Sequence, residues 1–205
     1  MLQANVIQPR TLGILKKIMQ NSAFDSFVLV GGTSLALQIG HRLSIDLDFF
    51  SIESIDHERI KAELEETGML SENYRNKIML RVELENIKMD FVTYKFDFLK
   101  PPLVLEGIRL ASVDDICGMK LEAIKNRGLK KDFYDLYFLL KEVSLDEMIL
   151  SHSKKYSGTN RFQLLMSLIF FNDAEVSETP VLMKEKNITW EQIKEVIRKA
   201  VKSVT

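Results

Sequence analysis

Asp46 and Asp48 are separated by one residue in the run IDLDFFS. In an extended strand that spacing sends both carboxylates to one face while Leu47 and Phe49 point to the other. Asp90 repeats the pattern in IKMDFV, sharing a face with Lys88 and Val92 and leaving Ile87, Met89 and Phe91 for burial. If the two strands are neighbours, three carboxylates converge, and they repel one another unless a cation or a proton sits among them. Hard oxygen donors suit Mg²⁺, which keeps several waters and is held by one or two carboxylates together with substrate phosphates. Taken alone, the Asp-Leu-Asp triplet also fits an ordinary solvated strand face.

Upstream, Gly31-Gly32-Thr33-Ser34 follows the apolar run FVLV. Two glycines at a strand end with a serine opening a helix let backbone N–H groups approach an anion, with the helix dipole behind them. Such a turn suits a triphosphate, although a glycine pair there is also plain turn chemistry. Downstream, a helix over about 113–127 has an apolar stripe of Ile116, Met119, Ala123 and Ile124, with Lys120 and Arg127 inside its arc. Lys120 either covers the core with its stem or points into a cleft toward phosphate. Asp135 stands within FYDLYFLL, with Asp132 one turn earlier; a carboxylate among residues that favour burial must be paired or functional.

Hydrophobic periodicity supplies the elements that position these groups. It predicts a helix over about 8–22, a strand at 27–32 running into the glycine turn, and a short helix over 34–40 closed by Gly40. A strand at 45–51, a charged helix at about 56–67 and a hairpin over 77–94 turning at Glu85-Asn86 follow. Beyond Pro101-Pro102 the apolar spacing is helical, and Ser144 with Glu147 and Thr189 with Gln192 match capping boxes. The expected class is α+β: a small mixed or antiparallel sheet with helices over residues 1–100. A helical part over 101–205 is expected to pack on it and contribute site residues.

With 46% hydrophobic and 28% charged residues, low-complexity and disordered classes are excluded, and a formal net charge of −1 gives no global attraction to nucleic acid or anionic membrane. A lone cysteine, Cys117, excludes a disulfide framework. No signal-like or bilayer-length apolar run is present, so a cytoplasmic protein without membrane partners is expected. His41, His57 and His152 lack metal-ligand spacing and read as surface or loop residues. Cys117 and the phenylalanines and methionines of 162–171 read as core, and Trp190 as a packing anchor.

The ordered set of strand, glycine turn, Asp46-x-Asp48 and the later Asp90 resembles the nucleotidyltransferase superfamily related to DNA polymerase β. The strings GGTSLALQIGHRLSIDLDFF, KMDFV and MKLEAIKNRGLKKDFYDLYFLL are similar to one branch of it, the abortive-infection toxins of the AbiEii/AbiGii type, over about residues 28–140. The resemblance implies a polymerase β-like fold and transfer of a nucleoside monophosphate from an NTP to an acceptor hydroxyl, with pyrophosphate leaving. It implies nucleotide binding by Gly31, Gly32, Thr33 and Ser34, with Arg42, Lys120 and Arg127 assisting. Two Mg²⁺ ions, or Mn²⁺, would sit on Asp46, Asp48 and Asp90. Lys120 and one of Asp132 or Asp135 belong to the active site on the same grounds, Asp135 being preferred for its more apolar neighbours. It also implies a toxin with tRNA among its acceptors and a separately encoded antitoxin as partner. Lys77, Arg81 and Lys88 are either a basic strip for RNA phosphates or solvated decoration of the strands, the net charge of −1 giving no support to the former. A small-molecule or protein hydroxyl as acceptor, and a catalytically silent nucleotide-binding module, stay open.

Overall fold

The computed structural model describes Met1–Thr205, which divide into two units: Met1–Gly40 with Ser44–Ser112, and His41–Leu43 with Val113–Thr205. In the first unit, α1 (Pro9–Gln20) opens on a proline, whose missing N–H costs nothing at the first helical position. Buried β1 (Val28–Val30) leads directly into α2 (Gly31–Ile39), which ends on Gly40 in the left-handed conformation. Then come β2 (Leu47–Ser51), α3 (His57–Glu65), β3 (Leu70–Asn76), β4 (Met79–Leu84), β5 (Ile87–Thr93), β6 (Leu103–Leu105) and β7 (Ile108–Leu110).

These strands form one mixed sheet in the order β3-β4-β5-β2-β1-β7-β6, as the α+β class requires. The β2–β5 and β1–β7 pairs are parallel and the remaining pairs antiparallel. Leu47, Phe49, Leu80, Val82, Met89 and Phe91 are fully buried, and Phe49 stacks on Phe91 with ring centroids 4.9 Å apart. Period-two alternation therefore puts Asp48, Arg81 and Asp90 on the opposite face, and a one-residue slip would bury all three. The β4–β5 turn holds Glu85 and Asn86 at φ +53° and +65°. A two-residue turn of that kind matches the strand twist and fixes the register, setting Arg81 opposite Asp90.

Three differences from the sequence reading concern local structure. Helix α2 starts at Gly31, not after the glycines, because Gly31 at φ +68° makes the bend in one residue. Strand β3 was not expected: LSENYRN is polar and almost wholly exposed, held by its ladder to β4 and not by burial. Nor was the β6–β7 hairpin, whose three-residue strands turn at Glu106-Gly107, both at positive φ. That hairpin keeps the segment after Pro101-Pro102 in the first unit, so the helical part begins at Val113.

The second unit contains α4 (Val113–Asn126), α5 (Lys130–Leu139), α6 (Leu145–Lys155), α7 (Arg161–Leu168), the short α8 (Asn172–Glu175) and α9 (Trp190–Ser203). Both expected capping boxes are present, opening α6 and α9. Helix α4 packs against α5, α6 and α7. Gly118 permits the α6 approach, since a Cβ there would lie 3.2 Å from the Ser151 carbonyl. Beside it the buried Asp115 and Lys155 pair at 2.6 Å. Trp190 is a packing anchor, stacked on Tyr134 with centroids 5.8 Å apart and edge-on to Phe133 and Phe171. Cys117 is core, its thiol pushed up to about 12 by burial.

Two other expectations are corrected. Phe162, Met166 and Phe170 are exposed, because the buried stripe of α7 is Leu164, Leu165 and Leu168. His41 and His152 are buried, with Nε2 of each ring paired to Asp135 and Glu122 respectively and Nδ1 left without a partner. No helix is long and apolar enough to cross a membrane.

Candidate active site

With no loop between β1 and α2, the first N–H groups of the helix, which have no intrahelical partner, emerge at the glycine bend. A Cβ on Gly31 would stand 2.6 Å from Asp48 Oδ2 and 3.5 Å from its Cγ. Backbone and carboxylate therefore approach as closely as a hydrogen in place of a side chain permits. Thr33 and Ser34 are buried. Thr33 Oγ1 lies 2.7 Å from Ser44 Oγ and donates to the Asp46 carbonyl, tying the turn to the segment that enters β2. Ser34 Oγ accepts from Gln38 Nε2 at 3.3 Å, and that amide also donates to the Ala111 carbonyl at 3.0 Å. The hydroxyls thus brace the turn while the glycines make the close approach.

Parallel pairing of β2 with β5 sets Asp48 level with Asp90, and Asp46 lies one residue before β2. Asp90 accepts a bidentate pair from Arg81, Nε to Oδ1 and Nη2 to Oδ2 at 2.7 Å each. Hydrogen bonding to Asp90 raises the Arg81 pKa further, and the charges of Asp48 and Asp46 add to the effect. All three carboxylates thus lie within electrostatic reach of one guanidinium. No three His, Cys, Asp or Glu side chains are gathered closely enough to hold a metal among themselves. The backbone aligns Asp48 and Asp90, while the Asp90 oxygens are taken up by Arg81.

Within the second unit, Asp135 receives Arg42 at 2.6 and 3.0 Å, His41 Nε2 at 2.7 Å and Lys120 at 2.6 Å. Asp132 receives Lys120 at 3.0 Å and Arg127 at 3.2 Å. Both carboxylates are fully buried and Lys120 and Arg42 nearly so, whereas Arg127 is half exposed. Burial opposes every charge in this cluster, but the partners outweigh it. Arg42 and Lys120 hold Asp135 well below the usual carboxylate range, Lys120 and Arg127 lower Asp132, and Asp135 and Asp132 raise Lys120. For His41 burial wins and lowers the pKa. Its Nδ1 has no hydrogen-bond partner, so the neutral ring donating through Nε2 is the form that leaves no donor unsatisfied.

The tripeptide His41–Leu43 is stitched to 181–183 by main-chain bonds, Leu43 N–H to the Val181 carbonyl and Met183 N–H to the His41 carbonyl, both 2.8 Å. Of the two candidate carboxylates, Asp135 holds this tripeptide and Asp132 does not. Two arrangements escaped the sequence reading. Arg109 donates to the carbonyls of Met19, Phe24 and Phe27, and nothing in its sequence context signals that. The second is the Arg81–Asp90 pair: Arg81 was assigned to a basic strip, although the two-residue turn at Glu85-Asn86 sets those two positions opposite each other.

The first unit thus sets a glycine bend against one strand aspartate, with a second aspartate level with it on the neighbouring strand of a mixed sheet. Solved structures share the fold: MenT4, the nucleotidyltransferase toxin Rv2826c of Mycobacterium tuberculosis H37Rv, has a TM-score of 0.58 at 17% identity, covering 98% of this chain and 88% of that one. JHP933 of Helicobacter pylori has a TM-score of 0.60 at 19% identity, covering 97% and 93%. Residues 13–203 match the nucleotidyl transferase AbiEii toxin family of type IV toxin–antitoxin systems, and the chain belongs to that family. The uncharacterized protein aq_aa25 of Aquifex aeolicus (strain VF5) is 32% identical over 194 residues, 92% of each chain. The protein is accordingly a nucleotidyltransferase.

Proposed function

We propose that the protein is the toxin of a toxin–antitoxin pair and transfers a nucleoside monophosphate from an NTP to a hydroxyl of tRNA in a divalent-metal-dependent reaction. The observation that carries this reading is the contact between the Gly31 backbone and the Asp48 carboxylate, with Asp90 level on the next strand. The N–H groups at the start of α2 receive the triphosphate. Asp46 and Asp48, a hard-oxygen pair, are the residues that would hold Mg²⁺ or Mn²⁺ together with the substrate phosphates, and family resemblance alone makes Asp90 a third. When bound, such ions supply charge neutralisation at the phosphates and acidify the acceptor hydroxyl.

Asp90 accepts the proton of that hydroxyl as its oxygen bonds to the α-phosphorus. The bond from the α-phosphorus to the bridging oxygen breaks, and pyrophosphate leaves with the electron pair. Gly31, Gly32, Thr33 and Ser34 keep the phosphates in line. Lys120, Arg42, Arg127 and Asp135 enter by family resemblance; within the second unit, Asp135 is hydrogen-bonded to Arg42 and His41.

Incubation with each α-labelled NTP and total RNA, with Mg²⁺ or with excess chelator, tests the reading. Label is expected in the tRNA size range with Mg²⁺ only, and not with Asp48→Asn. Label on added protein or small hydroxyl compounds instead would overturn the tRNA acceptor, and no pyrophosphate release with any acceptor would overturn the activity.

A further inference from the structure

In the reading above Asp90 takes a proton or shares a divalent cation, yet both of its oxygens are hydrogen-bonded to one guanidinium. Arg81 and Asp90 stand directly opposite each other in the β4–β5 ladder, so neither strand has to distort for the fork to close. The pair also lies where other ions can compete for it: the Asp90 side chain is 18% exposed and that of Arg81 47%. Lys88, the cation on β5 itself, stands opposite Glu83 in the ladder.

We propose that Arg81 is a resident counter-cation of the active site, neutralising its aspartates at rest and competing with the divalent cation for Asp90. Asp90 joins the reacting groups only when Arg81 releases it. A triphosphate favours that release, because its oxygens offer the planar guanidinium an equivalent bidentate partner. This deepens the nucleotidyltransferase reading and rests on its assignment of a cation to these aspartates.

The test is Mn²⁺ binding to the full-length protein, without nucleotide, followed by electron paramagnetic resonance of the unbound ion. Arg81→Met should bind Mn²⁺ about three- to tenfold more tightly than wild type, the range expected on removing a bidentate competitor at a partly exposed site. Arg81→Lys, which keeps the charge but loses the fork, should fall between them. Asp90→Asn in the Arg81→Met background should cancel the gain. Lys88→Met, a control for general charge, should change affinity less than about twofold. Equal affinity in wild type and Arg81→Met, an equal gain from Lys88→Met, or a gain that survives Asp90→Asn would each overturn the role of Arg81 and leave the metal reading standing. Absence of saturable Mn²⁺ binding in both wild type and Arg81→Met would overturn the two together.

Discussion

In the first unit Asp90 meets Arg81 on a face that water reaches; in the second, Asp132 and Asp135 are wholly enclosed with Lys120 and Arg42 as partners. The residue types are nearly the same and the consequences opposite. A partly exposed ion pair contributes about 0–1 kcal/mol and can exchange partners, whereas removing one member of a buried pair costs about 3–5 kcal/mol because the other charge stays uncompensated. Exchangeable charge suits binding and releasing phosphates, cations and protons. Enclosed charge suits holding a segment, here His41–Leu43, in one arrangement.

That division is broken most directly at Asp48. Asp48→Asn should reduce NTP-dependent pyrophosphate release by about 10³-fold, equivalent to about 4 kcal/mol of transition-state stabilisation, with an unchanged urea unfolding midpoint. A large loss of stability would show that the first unit's carboxylate is structural after all. Asp135→Asn is the converse. It leaves Lys120 and Arg42 buried without their shared carboxylate, and urea unfolding should show a loss of about 3–5 kcal/mol. Wild-type stability in that variant would remove the contrast between the units.

Gly31→Ala sharpens the comparison with a smaller change. Its φ of +68° costs a residue with a side chain about 1–2 kcal/mol, and the added Cβ would press on Asp48 Oδ2. Reduced turnover with a modest drop in unfolding free energy is expected. Turnover at wild-type level would mean that the close approach of turn and carboxylate is not used.

Sequence made the exposed half of this contrast legible and the enclosed half only partly so. The alternation in IDLDFFS and IKMDFV, with the turn at Glu85-Asn86, is enough to place Asp48, Asp90 and Arg81 on one face. Strand period and turn geometry are local, and here tertiary packing agrees with them. The pairing of Asp135 with His41 and Arg42 joins positions more than ninety residues apart, and no local signal carries such a contact. What the sequence did show is the need for partners, since a carboxylate within FYDLYFLL cannot be buried alone. Strand β3 and the β6–β7 hairpin were missed for another reason: one has no apolar alternation to read, and the other is too short to establish a period.

A pH dependence is also expected, from two buried histidines: His41 in the enclosed cluster, and His152, whose partner is Glu122. Burial lowers the pKa values of His41 and His152 below the ordinary 6.5, so the folded protein keeps both neutral where the unfolded chain binds protons. Their contribution is present above about pH 6.5 and is lost as the pH falls below it, at up to about 1.4 kcal/mol per pH unit for each histidine until the folded-state value is reached. Asp132 and Asp135 are also lowered in the folded state, but their contribution is lost only at pH values below the ordinary carboxylate pKa, so they are silent in this window. Urea unfolding at pH 7.5 and 5.5 should therefore show a loss of stability at the lower pH, smaller in His41→Gln and in His152→Gln. Because glutamine cannot titrate, its effect on the difference between the two pH values separates proton binding from lost packing, which shifts both values alike. A pH difference unchanged by either substitution would show that the enclosed histidines do not sense protons.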